Sequence, residues 1–358
     1  VNFTDVSSSW YCMYSKPDPS TSDKPKLICM LLLYVDDFLI AGDQHTVRQV
    51  VADMKKVWEL KNGDIHDVNE SPILGTQFTQ RFIEKGIVNV TVDQRKYSSH
   101  VTSEFFKTTG LGPSDLNNRV DLPIVDNEQD TSSIKGAPPV RGTFADNAAK
   151  EVGSLMWLAR TGCPQLTVAI QNLGRHMNSW TKAVDRQLLR VVSFIYKHLS
   201  HSVLLLRIAP QDLKDQKLKL LVFSDADHAG NISDRKSVSG CTMFLSGPNG
   251  TWAMLDWISK TQRTISLSTA EAELLAAQLC LRECLSVLIL LEMLQIDVEI
   301  ELLVDSAAAL SILLTGISSK LRYAAKSQGL AAAWSTMTES PSKKLPIMSL
   351  RREKDWKI

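Results

Sequence analysis

Two apolar segments in the second half of the sequence each run directly into an aspartate. Residues 219–224 lead to Asp225, and residues 300–304 lead to Asp305. Two more strand-like segments and a long apolar helix, residues 268–294, lie between them, and a short helix follows. The order strand, strand, strand, helix, strand, helix predicts a mixed α/β domain, with both acids at one edge of its sheet.

The long helix carries a third acid close to its start. Glu273 shares its helical face with small residues suited to packing on strands, whereas Glu271, about 200° away around the helix, shares a mostly polar face. We therefore expect Glu273 to point toward the sheet. Three neighbouring carboxylates repel each other unless a cation neutralises them, and oxygen ligands without His or Cys favour Mg²⁺ or Mn²⁺. Taken singly, each acid is more typical of a strand end that faces water.

A second pair of acids lies in the first half of the chain. Asp36 and Asp37 separate two apolar segments, residues 27–35 and 38–41. This pattern predicts a hairpin that is buried on at least one face. Its tip would present the carboxylates of Asp36 and Asp37 to a metal ion.

The whole chain is close to neutral, with 40 Lys and Arg against 39 Asp and Glu, so a polyanion must bind at a local patch. The predicted helices of residues 141–214 hold ten bases against four acids, whereas residues 215–338 hold ten against thirteen. A solvated face and a surface that follows a nucleic-acid backbone both agree with the basic surplus. The residues expected to contact nucleic acid are Arg175, Lys182, Arg186, Arg190 and Lys197.

Five ordered motifs in the second half resemble the ribonuclease H domain of copia-type LTR retrotransposon polyproteins. They are residues 223–230 (FSDADHAG), 234–240 (DRKSVSG), 257–262 (WISKTQ), 267–273 (LSTAEAE) and 304–306 (VDS). The resemblance implies that Asp225, Glu273 and Asp305 are metal-binding catalytic acids. Two such metal ions can activate a water and stabilise the leaving oxygen in phosphodiester cleavage.

The fourth acid of that family is missing from the corresponding segment, about residues 318–326. No Asp or Glu occurs between Asp305 and Glu339. The resemblance therefore implies a weakly held second metal ion and slow or lost hydrolysis. Asp227 would replace this acid only if its side chain turned back toward the site.

The first half resembles the reverse transcriptase of the same family, with Tyr34 to Asp37 in the place of its catalytic hairpin. The family supplies a further palm aspartate and the fingers upstream of this motif, but only 33 residues precede it here. These residues predict no strand that carries an aspartate, and residues 1–25 are predicted to be irregular. We expect that the chain does not polymerise alone, and that Asp36 and Asp37 are relics or are completed by another polypeptide, such as upstream polyprotein parts.

The expected fold is α/β (α+β): a partial polymerase palm and thumb, a helical connection, and a ribonuclease H-like mixed sheet with helices. The predicted parts are residues 1–107 (palm and thumb), 108–142 (linker), 143–209 (helical connection), 210–338 (ribonuclease H-like domain) and 339–358 (tail). The expected function is cleavage of RNA in RNA–DNA hybrids by two metal ions, with an inactive polymerase part. The alternative is a degenerate remnant that binds nucleic acid without chemistry. A glycosyltransferase would explain neither Glu273 nor Asp305.

The remaining expectations concern the compartment. Six cysteines without zinc-site spacing predict reduced, buried thiols and an intracellular location, cytoplasmic and/or nuclear. The longest charge-free apolar runs, residues 27–35 and 285–291, fall short of the roughly 20 residues that cross a bilayer, so no membrane partner is expected. The chain starts without a signal peptide or an initiator Met, which predicts a fragment or a processed product.

Overall fold

The structure is a computed structural model that describes residues 4–7, 10–14, 26–35, 37–58, 67–83, 86–117, 119–124, 140–230, 234–315 and 349–351. The strands are β1 (Thr4–Ser7), β2 (Trp10–Tyr14), β3 (Leu27–Tyr34), β4 (Asp37–Gly42), β5 (Gln77–Phe82), β6 (Val88–Asp93), β7 (Val203–Ile208), β8 (Leu218–Asp227), β9 (Val238–Ser246), β10 (Trp252–Thr261), β11 (Val298–Val304) and β12 (Ser349–Arg351). The helices are α1 (Gln44–Lys55), α2 (Arg95–Thr109), α3 (Ala148–Thr161), α4 (Thr167–Arg175), α5 (Lys182–Lys197), α6 (Pro210–Asp215), α7 (Thr269–Met293) and α8 (Ala307–Thr315).

A mixed sheet of eight strands forms the centre of the structure, in the order β12-β11-β8-β9-β10-β7-β6-β5. β8 is parallel to β11 and antiparallel to β9, and β9 is antiparallel to β10. β10 then meets β7 at the single pair Trp252–Arg207. The predicted α/β class is confirmed, and the predicted order of strands and helices in the second half is observed.

Helix α7 covers one face of the central strands. β8 alternates between buried and partly exposed residues, and its buried side, including Leu220 and Val222, packs against α7. Cys280 and Cys284 of α7 are fully buried in this contact. Within the described residues, α7 is also the one helix that is long and apolar enough to cross a membrane by length and composition. Its packing on the sheet is that of a core helix.

Helices α2 to α5 pack together as a bundle. Helices α2 to α5 share a core that includes Phe105, Leu158 and Leu188, each fully buried. Buried Asp185 at the start of α5 accepts hydrogen bonds from the indole N–H of Trp180 (2.7 Å) and from nearby backbone amides. Strand β7, which follows α5 and joins the large sheet, was not predicted.

The bundle contacts the sheet on the face opposite α7. The indole Nε1 of Trp257 on β10 donates a 2.7 Å hydrogen bond to the carbonyl of Ala159 in α3. Next to it, Gln171 of α4 donates to the hydroxyl of Thr261 at the end of β10. These bonds place the start of α4 over the central strands.

Strands β1 to β4 form a separate sheet in the order β1-β2-β3-β4. Antiparallel β3 and β4 confirm the predicted hairpin, and the ring of Tyr34 near its tip lies 6.3 Å from the ring of Trp157 in α3. The prediction that residues 1–25 are irregular was wrong, because they contribute β1 and β2. The expectation of no early strand with an aspartate was also wrong, since Asp5 lies in β1. The backbone pairing of β2 with β3 forms these strands despite their weak local pattern.

A turn precedes β5. Leu74 and Gly75 have φ angles of 52° and 75° and form this turn, and β5 begins at Gln77. A glycine accepts this left-handed conformation without strain, so the chain reverses there. Part of the predicted tail forms β12, which pairs in parallel with β11.

Replacing Trp257 by Phe should lower the free energy of unfolding by about 1–2 kcal/mol, because the buried carbonyl of Ala159 loses its donor. The matched control is Trp252→Phe on the same strand, whose side chain is 44% exposed. Urea unfolding followed by circular dichroism measures both. An equal loss in the two variants would contradict a specific bond between the bundle and the sheet.

Candidate metal centre

The sheet brings the two predicted strand-end acids side by side. β8 and β11 are parallel, and the last matched pair in their register is Ser224 with Val304. Asp225, near the end of β8, and Asp305, just after β11, follow directly, and both are exposed. One carboxylate oxygen from each of Asp225, Asp305 and Glu273 lies within 4.8 Å of the other two.

Glu273 reaches this edge because α7 approaches the sheet closely. Ala272 and Ala276 of α7 are fully buried against Ala226 of β8. One turn further along, the Cys280 thiol is directed at the carbonyls of Phe223 and Gly240, at 3.7 and 3.6 Å. Small side chains at these helix positions therefore set the distance from Glu273 to the two aspartates.

The environment of Glu273 disfavours its charged form. The side chain is only 3% exposed, and burial, followed by the charges of Asp305 and Asp225, raises the pKa of Glu273 to about 8. A backbone hydrogen bond from Ala226 opposes this in part. The Oε2 atom of Glu273 is buried and has no hydrogen-bond partner among the described residues. A cation between the three acids would satisfy this oxygen and remove the repulsion.

The donor set fits a hard divalent cation. It offers carboxylate oxygens without His or Cys, which suits Mg²⁺ or Mn²⁺ better than Zn²⁺. Asp225, Glu273 and Asp305 would hold the ion. Asp227, two residues beyond Asp225 on β8, does not belong to this group.

The start of α7 is fixed by a cap. Ser268 accepts a hydrogen bond from the backbone amide of Glu271, and a carboxylate oxygen of Glu271 accepts one from the amide of Leu267 at 2.9 Å. Glu271 therefore serves the helix terminus and stays out of the acid group. This agrees with the helical face predicted for it.

A buried glutamine that no sequence pattern singles out ties this terminus to the sheet. The Nε2 of Gln262 donates to the hydroxyl of Ser239 (3.0 Å) and to the carbonyl of Ala272 (2.8 Å). Its Oε1 accepts from the hydroxyl of Ser266 (2.7 Å). Because Ala272 immediately precedes Glu273, Gln262 is a positioning residue for the metal centre. Gln262 lies in the WISKTQ motif, and this motif is the sequence signal that could have identified it.

An open cleft of about 630 Å³ leads to Asp225 and Asp305. Its walls are the sheet face opposite α7, with Phe223 and Trp257, and the start of α4, with Val168. The helical bundle therefore forms one side of the approach to the acids.

The hairpin acids lie apart from this centre. Asp36 is outside the described residues, and Asp37 is exposed at the start of β4 in the smaller sheet. Asp37 does not join the acid group around Asp225. A role of Asp36 and Asp37 in metal binding stays a prediction.

The basic residues predicted to bind nucleic acid are largely engaged within the chain. Arg175 lies 3.4 Å from Asp234, and Lys197 lies 2.8 Å from Asp121. Arg190 donates to the carbonyl of Leu122 (3.1 Å), and Arg186 also has an interaction partner. Lys182 is exposed and, in the described part of the chain, forms no ion pair. Their contact with nucleic acid stays a prediction.

The segment 318–326, expected to lack the fourth acid, is outside the described residues.

Without divalent metal, the stability of the chain should fall as the pH rises from about 5 to 8. The folded chain holds a proton on Glu273 that the unfolded chain has already lost, so unfolding becomes easier through this window. The effect is about 3–4 kcal/mol. Urea unfolding of the wild type and of Glu273→Gln at both pH values measures it. The Gln variant should lose most of this pH dependence, and an unchanged dependence would contradict the buried carboxyl.

Replacing Gln262 by Leu should cost about 2–4 kcal/mol, because Ser239, Ser266 and Ala272 lose buried partners. As a positioning residue, it should also weaken Mn²⁺ binding at a temperature where the variant is folded. Gln278→Leu, on the polar face of α7, is the control. Normal Mn²⁺ affinity in folded Gln262→Leu would show that the glutamine stabilises the fold only.

No family model matches the chain. An uncharacterized mitochondrial protein of Arabidopsis thaliana, AtMg00810, is 27% identical over 261 residues, which cover 71% of this chain and 92% of that protein. The retrovirus-related Pol polyprotein from transposon TNT 1-94 of Nicotiana tabacum is 28% identical over 257 residues, 69% of this chain. The chain spans only 17% of that polyprotein.

Solved structures similar to the chain include ribonuclease H and reverse transcriptase. One of them is the foamy viral protease-reverse transcriptase in complex with an RNA/DNA hybrid. The similarity covers 90% of this chain and 36% of the foamy viral chain, at 11% identity and a TM-score of 0.39. The sequence relatives confirm the resemblance drawn from the motifs. The chain is a homologue of the retrovirus-related Pol polyproteins from transposons.

Proposed function

We propose that the chain cleaves RNA in RNA–DNA hybrids at a divalent-metal centre formed by Asp225, Glu273 and Asp305. The observation that carries the proposal is the convergence of three carboxylates within 4.8 Å, one of them buried with an unpartnered oxygen. Relatives in the transposon Pol polyproteins support a nucleic-acid substrate. A complex of a similar fold with an RNA/DNA hybrid is in line with this substrate.

The three carboxylates have distinct roles in this proposal. Exposed Asp225 and Asp305 face the cleft, where they would hold a divalent ion. Buried Glu273 would supply the third oxygen, and its carboxyl would have to lose its proton, since metal ligands must be deprotonated. Bound divalent ions would lower the pKa of a water and neutralise charge on the leaving oxygen.

The polymerase part is proposed to be inactive alone. The chain spans 17% of the tobacco polyprotein that it matches, and Asp37 lies apart from the described acid group. Upstream polyprotein parts are the proposed partners that would complete it. The proposed location is intracellular, in line with the free, buried thiols of Cys29, Cys163, Cys241, Cys280 and Cys284.

The second candidate is hybrid binding without cleavage. It is favoured by one observation of the sequence, the lack of any Asp or Glu between Asp305 and Glu339. A site that binds two metal ions needs more carboxylate ligands than a site that binds a single ion. A site with three acids would therefore hold the second ion weakly.

The purified chain should cleave the RNA strand of a labelled hybrid when Mn²⁺ is added and stop when it is chelated. Asp225→Asn and Asp305→Asn should each lower the rate at least 100-fold, since each removes a charged ligand. Asp215→Asn, in α6 at the other end of the sheet, is the matched control and should cleave normally. Gel analysis of the labelled strand measures all four proteins.

Cleavage that persists in Asp225→Asn would come from a contaminant and would contradict the proposal. Hybrid binding that falls with salt, without any Mn²⁺-dependent cleavage, would instead establish the second candidate.

A further inference from the structure

We propose that a single-stranded nucleic acid binds an open part of the large sheet, where a base stacks on Trp252 and phosphates contact Arg207 and Arg81. We call this surface, formed by Trp252, Leu205, Arg207 and Arg81, the stacking face. It lies apart from the metal centre, and the inference does not depend on the proposed cleavage.

The strand register places Trp252 and the two arginines in one row. Trp252 of β10 is opposite Arg207 of β7. Arg207 is in turn opposite Asn89 of β6, and Asn89 is opposite Arg81 of β5. Directly opposite residues in antiparallel strands project from the same face of a sheet. At the usual strand spacing, Arg207 lies about 5 Å from Trp252, and Arg81 lies about 10 Å beyond Arg207.

This row lies on the sheet face opposite α7. Cys241 and Met243 of β9 are buried on the side of α7. Because side chains alternate along a strand, Ser246 projects from the other face, and Trp252, which is opposite Ser246, shares that face. The helical bundle covers this face around Trp257 but leaves the side chain of Trp252 44% exposed.

Other aromatic rings hold Trp252 in position. Its ring stacks on that of Phe244 at a centroid distance of 4.8 Å, and Phe244 meets Phe223 edge to face at 5.8 Å. Phe223 lines the cleft that leads to Asp225, so the rings form a continuous track from the cleft to the stacking face. An indole that is already fixed and still exposed loses little entropy when a base stacks on it.

The charge of the stacking face suits a polyanion. Arg81 and Arg207 are exposed, and neither forms an ion pair within the described part of the chain. On β5, β6 and β7 this face carries one acid, Asp93, which pairs with Arg95. The two guanidinium groups therefore give a local positive charge that attracts phosphates.

The acids nearest to this region are engaged or lie further away. Glu299 and Glu301 of β11 lie 3.7 and 3.2 Å from Lys219, on the far side of β8 and β9 from Arg207. Asp212 is buried and accepts hydrogen bonds from the turn between β9 and β10. A nucleic-acid strand is therefore attracted to the part of the sheet formed by β5, β6 and β7.

A single strand fits this surface better than a duplex. The bases of a duplex are paired and stacked on each other, whereas a single strand can place an unpaired base flat on an aromatic ring. Leu205, on the same face as Arg207, is 55% exposed and adds apolar area for a second base. Relatives among the transposon Pol polyproteins support a nucleic acid as the ligand.

The test is binding of a labelled DNA single strand of about 12 nucleotides to the full chain in EDTA, measured by fluorescence anisotropy at several salt concentrations. An abasic strand of the same length is the second probe. The variants are Trp252→Leu, Trp252→Phe, and the double variant Arg81→Gln with Arg207→Gln. The control is Arg48→Gln with Lys55→Gln, two exposed residues of α1, which packs on the small sheet. Circular dichroism verifies that each variant is folded.

Trp252→Leu and the arginine variant should each bind about tenfold more weakly than the wild type, whereas Trp252→Phe, which keeps a ring, and the control should stay within about threefold. In the arginine variant, the slope of log K against log salt should fall in magnitude by about 1.4, since each phosphate contact to a single strand contributes about 0.7. The abasic strand should bind the wild type about tenfold more weakly than the normal strand, and should bind Trp252→Leu as it binds the wild type.

Wild-type affinity in Trp252→Leu or in the arginine variant, equal binding of both probes by the wild type, or a wild type that binds no single strand would each overturn the stacking face. Sedimentation that shows a wild-type dimer, abolished by Trp252→Leu, would assign the surface to a second copy of the chain and overturn it too. If Trp252→Leu does not fold, the exposed arginine pair carries the test. Because none of these measurements involves hydrolysis, the proposed cleavage stands or fails separately.

Discussion

The structure around the site depends on the close packing of α7 against β8. Only a helix with small residues on its inner face can approach the sheet closely enough for Glu273 to reach two strand-end aspartates. Ala272, Ala276 and Cys280 provide that face, and each is fully buried. A larger side chain at these positions would move the helix outward and take the third carboxylate away from the other two.

The same packing creates an electrostatic cost that a cation would remove. Burial, together with the negative charges of Asp305 and Asp225, raises the pKa of the Glu273 carboxyl well above the usual value for glutamate. A divalent ion held by Asp225, Glu273 and Asp305 would take the place of this proton, because metal ligands must be deprotonated. The Gln262 network and the Ser268 cap both fix the first turn of α7, which carries Glu273.

The sequence predicts the local elements of the second half and the grouping of its acids. The alternation of β8, the apolar segment of β11 and the small-residue face of α7 are short-range patterns, and together they determine which acids converge. No local pattern predicts that β7, β6 and β5 extend the sheet beyond β10, because this arrangement joins segments far apart in the chain. For the same reason, the partner of Arg175, a residue 59 positions away, could not be foreseen. Gln262 looks like a loop residue until its three buried partners are known.

Titration of the chain with Mn²⁺ tests the central claim most directly. Electron paramagnetic resonance of free Mn²⁺ reports binding without any substrate, at neutral pH and moderate salt. The wild type should bind saturably, and Glu273→Gln should bind at least tenfold more weakly, because the buried oxygen loses its charge while its shape is kept. Equal Mn²⁺ affinity in the two proteins would contradict a metal centre built on Glu273.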